Sequence, residues 1–86
     1  RIREAVYHFN LYLYLHQFLH SKGARVWPEF PSGNGKLDIL ISYQEHLYGL
    51  EVKSFADLAE YQKALTQAAA YCKQLQLQKI TLVFFI

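Results

Sequence analysis

Two apolar runs lie almost back to back in the middle of the chain. Leu37-Asp38-Ile39-Leu40-Ile41-Ser42-Tyr43 and Leu47-Tyr48-Gly49-Leu50-Glu51-Val52-Lys53 are separated only by Gln44-Glu45-His46. Runs this continuously apolar read as strands buried on both faces. Strands joined by so short a turn must pair antiparallel. The hairpin therefore needs cover on both sides, and the rest of the chain has to supply it. With 86 residues, 52% hydrophobic and 19% charged, the chain is a single globular domain, residues 1–86. Cys72 is its one cysteine, which excludes a disulfide framework, a Cys-rich zinc site and a cysteine-ligated iron–sulfur cluster.

The cover is legible on either side of the hairpin. Residues 1–21 read as a helix, with Ile2, Val6, Phe9 and Leu13 on one face and Tyr12, Leu15 and Leu19 beside it. Lys22-Gly23 ends it, glycine supplying the left-handed cap. Residues 25–30 are β-prone but stopped by Pro28 and Pro31, which suits an edge strand. Ser32-Gly33-Asn34-Gly35 is a turn, and its Asn-Gly step is a hairpin signal. After Lys53, Ser54 followed by Asp57 resembles a capping box that opens a second helix. Leu58, Tyr61, Leu65, Ala68, Cys72 and Leu75 form its apolar stripe. Lys79 to Ile86 is the last strand. The order is helix, strand, strand, strand, helix, strand. Short turns make the first three strands an antiparallel meander, and a helical crossover lays the fourth parallel to the third. The expected class is α/β, a mixed four-stranded sheet flanked by helices.

Three charges interrupt the apolar strands: Asp38, Glu51 and Lys53. A buried carboxylate is costly unless it is paired or bound to a metal. Strand side chains alternate, so Glu51 and Lys53 share a face and Val52 takes the other. Asp38 lies on the neighbouring strand, so two carboxylates and a lysine are expected to converge. Two carboxylates suit Mg²⁺, a hard cation that takes oxygen ligands and keeps several waters. Lysine does not ligate as an ammonium, but it can hold or deprotonate a water and stabilise charge on a phosphate.

Asp38 followed by Glu51-Val52-Lys53 resembles the signature of the PD-(D/E)XK nuclease superfamily. The order of elements resembles that superfamily's restriction-endonuclease-like αβββαβ core over essentially the whole chain. Gly35-Lys36-Leu37-Asp38 is similar to the Gly-x-hydrophobic-Asp form of its first half-motif, with Leu37 where the proline of the name would stand. Gln67-Ala-Ala-Ala-Tyr71 resembles the Q-x-x-x-Y motif of the RecB-like, Holliday-junction-resolvase-like branch, its two polar residues four apart on one helical face. The resemblance implies metal-dependent hydrolysis of DNA phosphodiester bonds, in repair, recombination or defence. It implies that Asp38 and Glu51 bind Mg²⁺ or Mn²⁺, with the Val52 carbonyl as a further ligand and Glu4 as an added carboxylate from the first helix. Lys53 would position or activate the attacking water, and Gln67 would steady the lysine or a phosphate. Tyr71 and Lys36 would touch the nucleic acid. Glu29 is a weaker acidic candidate. The alternative is a catalytically inactive nuclease-fold module for nucleic-acid binding or protein assembly.

Other patterns carry less. His16-Gln17-Phe18-Leu19-His20 imitates a zinc-binding helix but has Gln17 where the general base belongs. Ser32 to Lys36 lacks the spacing of a phosphate loop. Cys72 reads as a small core residue, and Ser54 as a cap without the His–Asp relay a nucleophile needs. A net charge of +2 is mild for a free-standing DNA-binding enzyme. It suits a module tethered to a helicase, an ATPase or another DNA-binding part, or a homodimer. The chain opens on Arg1 and stops within the apolar run ending at Ile86, which predicts a domain cut from a longer protein. No stretch of about 20 apolar residues offers a membrane span, no signal peptide is visible, and the expected location is intracellular, in the cytoplasm.

Overall fold

A computed structural model describes residues 2–33, 35–55 and 57–85. The elements are α1 (Ile2–His20), β1 (Arg25–Trp27), β2 (Phe30–Ser32), β3 (Gly35–Leu37), β4 (Ile39–Tyr43), β5 (His46–Ser54), α2 (Leu58–Leu75) and β6 (Lys79–Phe85). The main sheet runs β1-β4-β5-β6. β1 and β5 flank β4 antiparallel, and β6 lies parallel to β5 with Val52 opposite Val83. This is the expected α/β arrangement, a mixed four-stranded sheet with two helices. No described helix is long and apolar enough to cross a membrane.

The local signals explain most of the boundaries. α1 closes on a Schellman motif: Ala24 N–H donates to the Leu19 carbonyl, Gly23 N–H to that of His20, and Gly23 takes φ +82°. Gln44 and Glu45, both at positive φ, turn β4 into β5 at the Tyr43–His46 pair. α2 is capped by Asp57, whose side chain accepts from Glu60 N–H at 2.9 Å. The cap is therefore Asp57 and not Ser54, which remains in β5 and donates its N–H to Glu4 Oε2 at 3.2 Å.

The strand expected at 25–30 and the one expected at 37–43 are each divided. Pro28 ends β1 after three residues, and Asp38 interrupts the second run as a bend. The pieces left over, β2 and β3, pair with each other as a separate hairpin closed at Ser32–Gly35. The Asn34 half of the expected turn signal lies outside the described residues, as do Arg1 and Ile86.

Each helix departs in part from its expected setting. On α1, Val6, Phe9 and Leu13 are exposed, while Glu4, His8, Leu11, Tyr12, Leu15 and Leu19 turn inward. Residues 5–21 hold no Asp, Glu, Lys or Arg, so apolar periodicity selects no single face. The polar groups select it instead: Glu4 reaches the Ser54 N–H, and His8 reaches the carbonyls of Pro28 and Asp38. On α2 the first half of the expected stripe, Leu58, Tyr61 and Leu65, is exposed, while Ala68 and Leu75 pack inward as expected, beside Ala64 and Tyr71. The two alanines let the helix lie close to the sheet. Tyr71 then joins Leu37 and Leu40 in the core, with Trp27, Phe30, Leu47, Leu75, Leu77 and Ile80 packed around them.

Tyr71 also ties α2 to the small hairpin, its hydroxyl donating to the Lys36 carbonyl at 2.9 Å. Gly35 leaves room for this, since a Cβ there would stand 2.7 Å from the hydroxyl oxygen. Tyr71→Phe removes the donor and leaves the carbonyl unsatisfied. Urea denaturation should show a loss of about 1 kcal/mol with an unchanged circular dichroism spectrum.

Candidate functional site

The bend at Asp38 is where backbone pairing gives way to side chains. In the β4–β5 ladder Ile39 stands opposite Leu50, so Asp38 would next stand opposite Glu51. Instead, Asp38 N–H donates to Glu51 Oε2 at 2.9 Å, and Val52 N–H donates to Asp38 Oδ2 at 2.7 Å. Each carboxylate thus satisfies a backbone donor on the opposite strand. The N–H and C=O of a strand residue point to the same side, so the Val52 carbonyl faces this same edge of β5.

Glu51 is 1% exposed, the most buried charged residue among those described. Burial, with the Asp38 charge beside it, raises its pKa from 4.5 to about 7, against the opposing pull of the Asp38 N–H and Lys53. Lys53 Nζ lies 3.8 Å from Glu51 Oε1, and its side chain is partly exposed. The structure therefore brings Asp38, Glu51 and Lys53 together, with one oxygen of each carboxylate engaged by a backbone N–H.

The other candidates divide between the two faces of the sheet. On the α1 side, a cavity of about 180 Å³ is lined by Glu4, Ala5, His8, Glu29, Asp38 and Val52. Glu4 thus shares a cavity with Asp38 while it accepts from Ser54 N–H. Glu29 lies in the β1–β2 connection, not on a strand, and pairs with the exposed Lys36 at 3.4 Å. On the α2 side, a cleft of about 300 Å³ is lined by Lys53, Glu60, Lys63, Ala64 and Gln67. Gln67 is accordingly beside Lys53. Tyr71, 4% exposed with its hydroxyl on Lys36, is placed to hold β3 and not to reach outward. Burial raises its pKa, and the Glu51 and Asp38 charges add to that, so the hydroxyl stays a donor.

His8 was not among the residues singled out from the sequence. Its Nε2 lies 2.5 Å from the Pro28 carbonyl and 2.7 Å from that of Asp38. Carbonyls only accept, so Nε2 carries the proton and ties the end of β1 to the Asp38 bend. The available signal was its spacing, four residues after Glu4 on the same helical face.

Among the described residues, no three His, Cys, Asp or Glu side chains are gathered closely enough to hold a metal ion by themselves. The oxygen set at the bend is two carboxylates and a backbone carbonyl. That set fits Mg²⁺, which commonly takes one or two carboxylates and completes its shell with water and substrate phosphate. It does not fit a tetrahedral zinc site. Comparison of the chain with protein-family models, with curated proteins and with solved structures found no match.

The raised pKa of Glu51 sets a pH dependence. Between pH 4.5 and about 7 the folded protein holds a proton that the unfolded chain has released. Stability from this group is therefore full below pH 4.5 and falls as pH rises through about 7, by as much as about 3 kcal/mol. Glu51→Gln removes the titration. Metal-free wild type should lose stability relative to Glu51→Gln between pH 5 and pH 8, measured by urea denaturation at both.

Proposed function

We propose that this chain is a restriction-endonuclease-like nuclease domain that hydrolyses DNA phosphodiester bonds with Mg²⁺ or Mn²⁺. The observation that carries this reading is the Asp38–Glu51–Lys53 cluster at the open edge of β5, where a buried carboxylate is held against a second one. Without a cation between them, that arrangement opposes folding near neutral pH, and structural need alone would favour an uncharged pair. Asp38, Glu51 and the Val52 carbonyl would hold the cation, with Glu4 as an outer carboxylate. Bound there, the cation would supply Lewis-acid stabilisation of a phosphoryl oxygen and a lowered pKa for water.

The residues around the cluster fit the remaining roles. Lys53, partly exposed and within reach of Glu51, can hold the attacking water or donate to a phosphate oxygen as the water oxygen bonds to phosphorus and the ester bond breaks. Gln67 lines the same cleft and can donate its amide to the phosphate or steady the lysine. Lys36 offers an exposed ammonium for the DNA backbone, and Tyr71 fixes the strand that carries it. DNA is the partner this set addresses, and the mild charge suits a module working beside a helicase, an ATPase, another DNA-binding part or a second copy.

A second reading rests on a different observation. Val6, Phe9, Tyr14 and Phe18 on α1 are each more than half exposed. Exposed apolar groups of this size mark interaction surfaces, as expected of a non-catalytic nuclease-fold module for nucleic-acid binding or assembly. Cleavage separates the two. Single-stranded, duplex, flapped and four-way-junction DNA should be cut in Mg²⁺ or Mn²⁺. Lys53→Ala should lower the rate at least about 10²-fold with the circular dichroism spectrum intact, and Glu51→Ala should abolish it. Equal cutting by Lys53→Ala, or silence of the wild type on every substrate, contradicts the nuclease reading.

A further inference from the structure

Beside the cleft holding Lys53, a second, shallow concavity runs along the outward face of α2, lined by Ala59, Gln62, Lys63, Thr66, Gln67 and Ala70. Lys63 and Gln67 line both. Ala59, Lys63, Thr66 and Ala70 follow one another at steps of four, three and four, so they share one helical face. That face is well separated from the buried one of Ala64, Ala68 and Tyr71. The alanines make the trough shallow, and the groups beside them are an amide pair, a hydroxyl and an ammonium. The exposed apolar residues of α2, namely Leu58, Tyr61 and Leu65, lie on the other flank.

We propose that this trough carries one strand of DNA away from the reactive cluster, with Lys63 binding the phosphate next to the one addressed by Lys53. This rests on the nuclease reading of that cluster. Three observations support it. First, the trough adjoins the Lys53 cleft, with Lys63 and Gln67 lining both. Second, Lys63 forms no ion pair among the described residues, although Glu60 lines the same cleft. An ammonium left free beside a second one is complementary to successive phosphates. Third, the lining is small and polar, alanines beside amide, hydroxyl and ammonium groups, which suits contact with the sugar–phosphate chain. The trough therefore positions the strand without reading its sequence.

The test is binding of a fluorescent oligothymidylate in Ca²⁺, followed by anisotropy over a range of salt, for wild type, Lys63→Ala and Glu60→Gln. Lys63→Ala should weaken binding about tenfold and reduce the slope of log K against log salt by about 0.7, the loss of one phosphate contact on a single strand. Glu60→Gln should tighten binding, because the acid facing the two lysines is gone. An affinity and slope unchanged in Lys63→Ala overturn the proposal and leave the nuclease reading standing. Failure of the wild type to bind overturns it as well. Binding with the predicted losses but no cutting in Mg²⁺ or Mn²⁺ supports the trough and removes the nuclease reading.

Discussion

The reciprocal hydrogen bonds at the Asp38 bend are the interaction on which the rest of the structure turns. Asp38 N–H binds the Glu51 carboxylate, and Val52 N–H binds the Asp38 carboxylate. Two backbone donors that a regular ladder would have satisfied are handed to acids. This allows β4 to begin at Ile39 while β3 departs to form its own hairpin, and it opens the edge of β5 beside Val52. The gain in hydrogen bonding offsets part of the cost of burying Glu51, while burial and the neighbouring Asp38 charge still push its pKa upward. A site that is satisfied locally yet electrostatically uneasy is what a cation-binding cluster requires.

The two helices serve this bend from opposite faces. From α1, Glu4 fixes the Ser54 N–H at the end of β5, and His8 clasps the Pro28 and Asp38 carbonyls. From α2, Tyr71 anchors the Lys36 carbonyl just before the bend, while Gln67 and Lys63 line the cleft that holds Lys53. Three polar side chains thus hold backbone groups on either side of the cluster. In a domain this small the apolar core is modest, so such ties set geometry that packing alone would leave loose. The same economy explains the exposed apolar residues of α1, a helix with too many apolar positions for one sheet face to cover.

Much of this was legible in the sequence because the signals were local. The meander and the parallel return of β6 followed from turn lengths and a helical crossover. Asp38, Glu51 and Lys53 stood out because charge is rare within apolar strands. The helix settings were legible only in part. Residues 5–21 have no Asp, Glu, Lys or Arg, so no periodic contrast told the inward from the outward face, and the stripe Val6–Phe9–Leu13 came out exposed. On α2 the Ala68 and Leu75 end of the stripe packs inward, but Leu58, Tyr61 and Leu65 came out exposed, and Ala64 and Tyr71 took their place against the sheet. The bend at Asp38 was hidden because a strand pattern records which side chains are apolar, not which backbone donors are satisfied by side chains. His8 was hidden for the same reason, since its partners are carbonyls of distant residues.

Asp38 and Glu51 are proposed to bind a divalent cation together, and calorimetry of Mn²⁺ binding is the decisive experiment. Titrations at pH 6.5 in two buffers of different ionisation enthalpy should show one site that releases a proton as Mn²⁺ enters, because Glu51 is largely protonated there. Asp38→Asn should remove the site. No binding, or binding unchanged in Asp38→Asn and without proton release, would contradict the account.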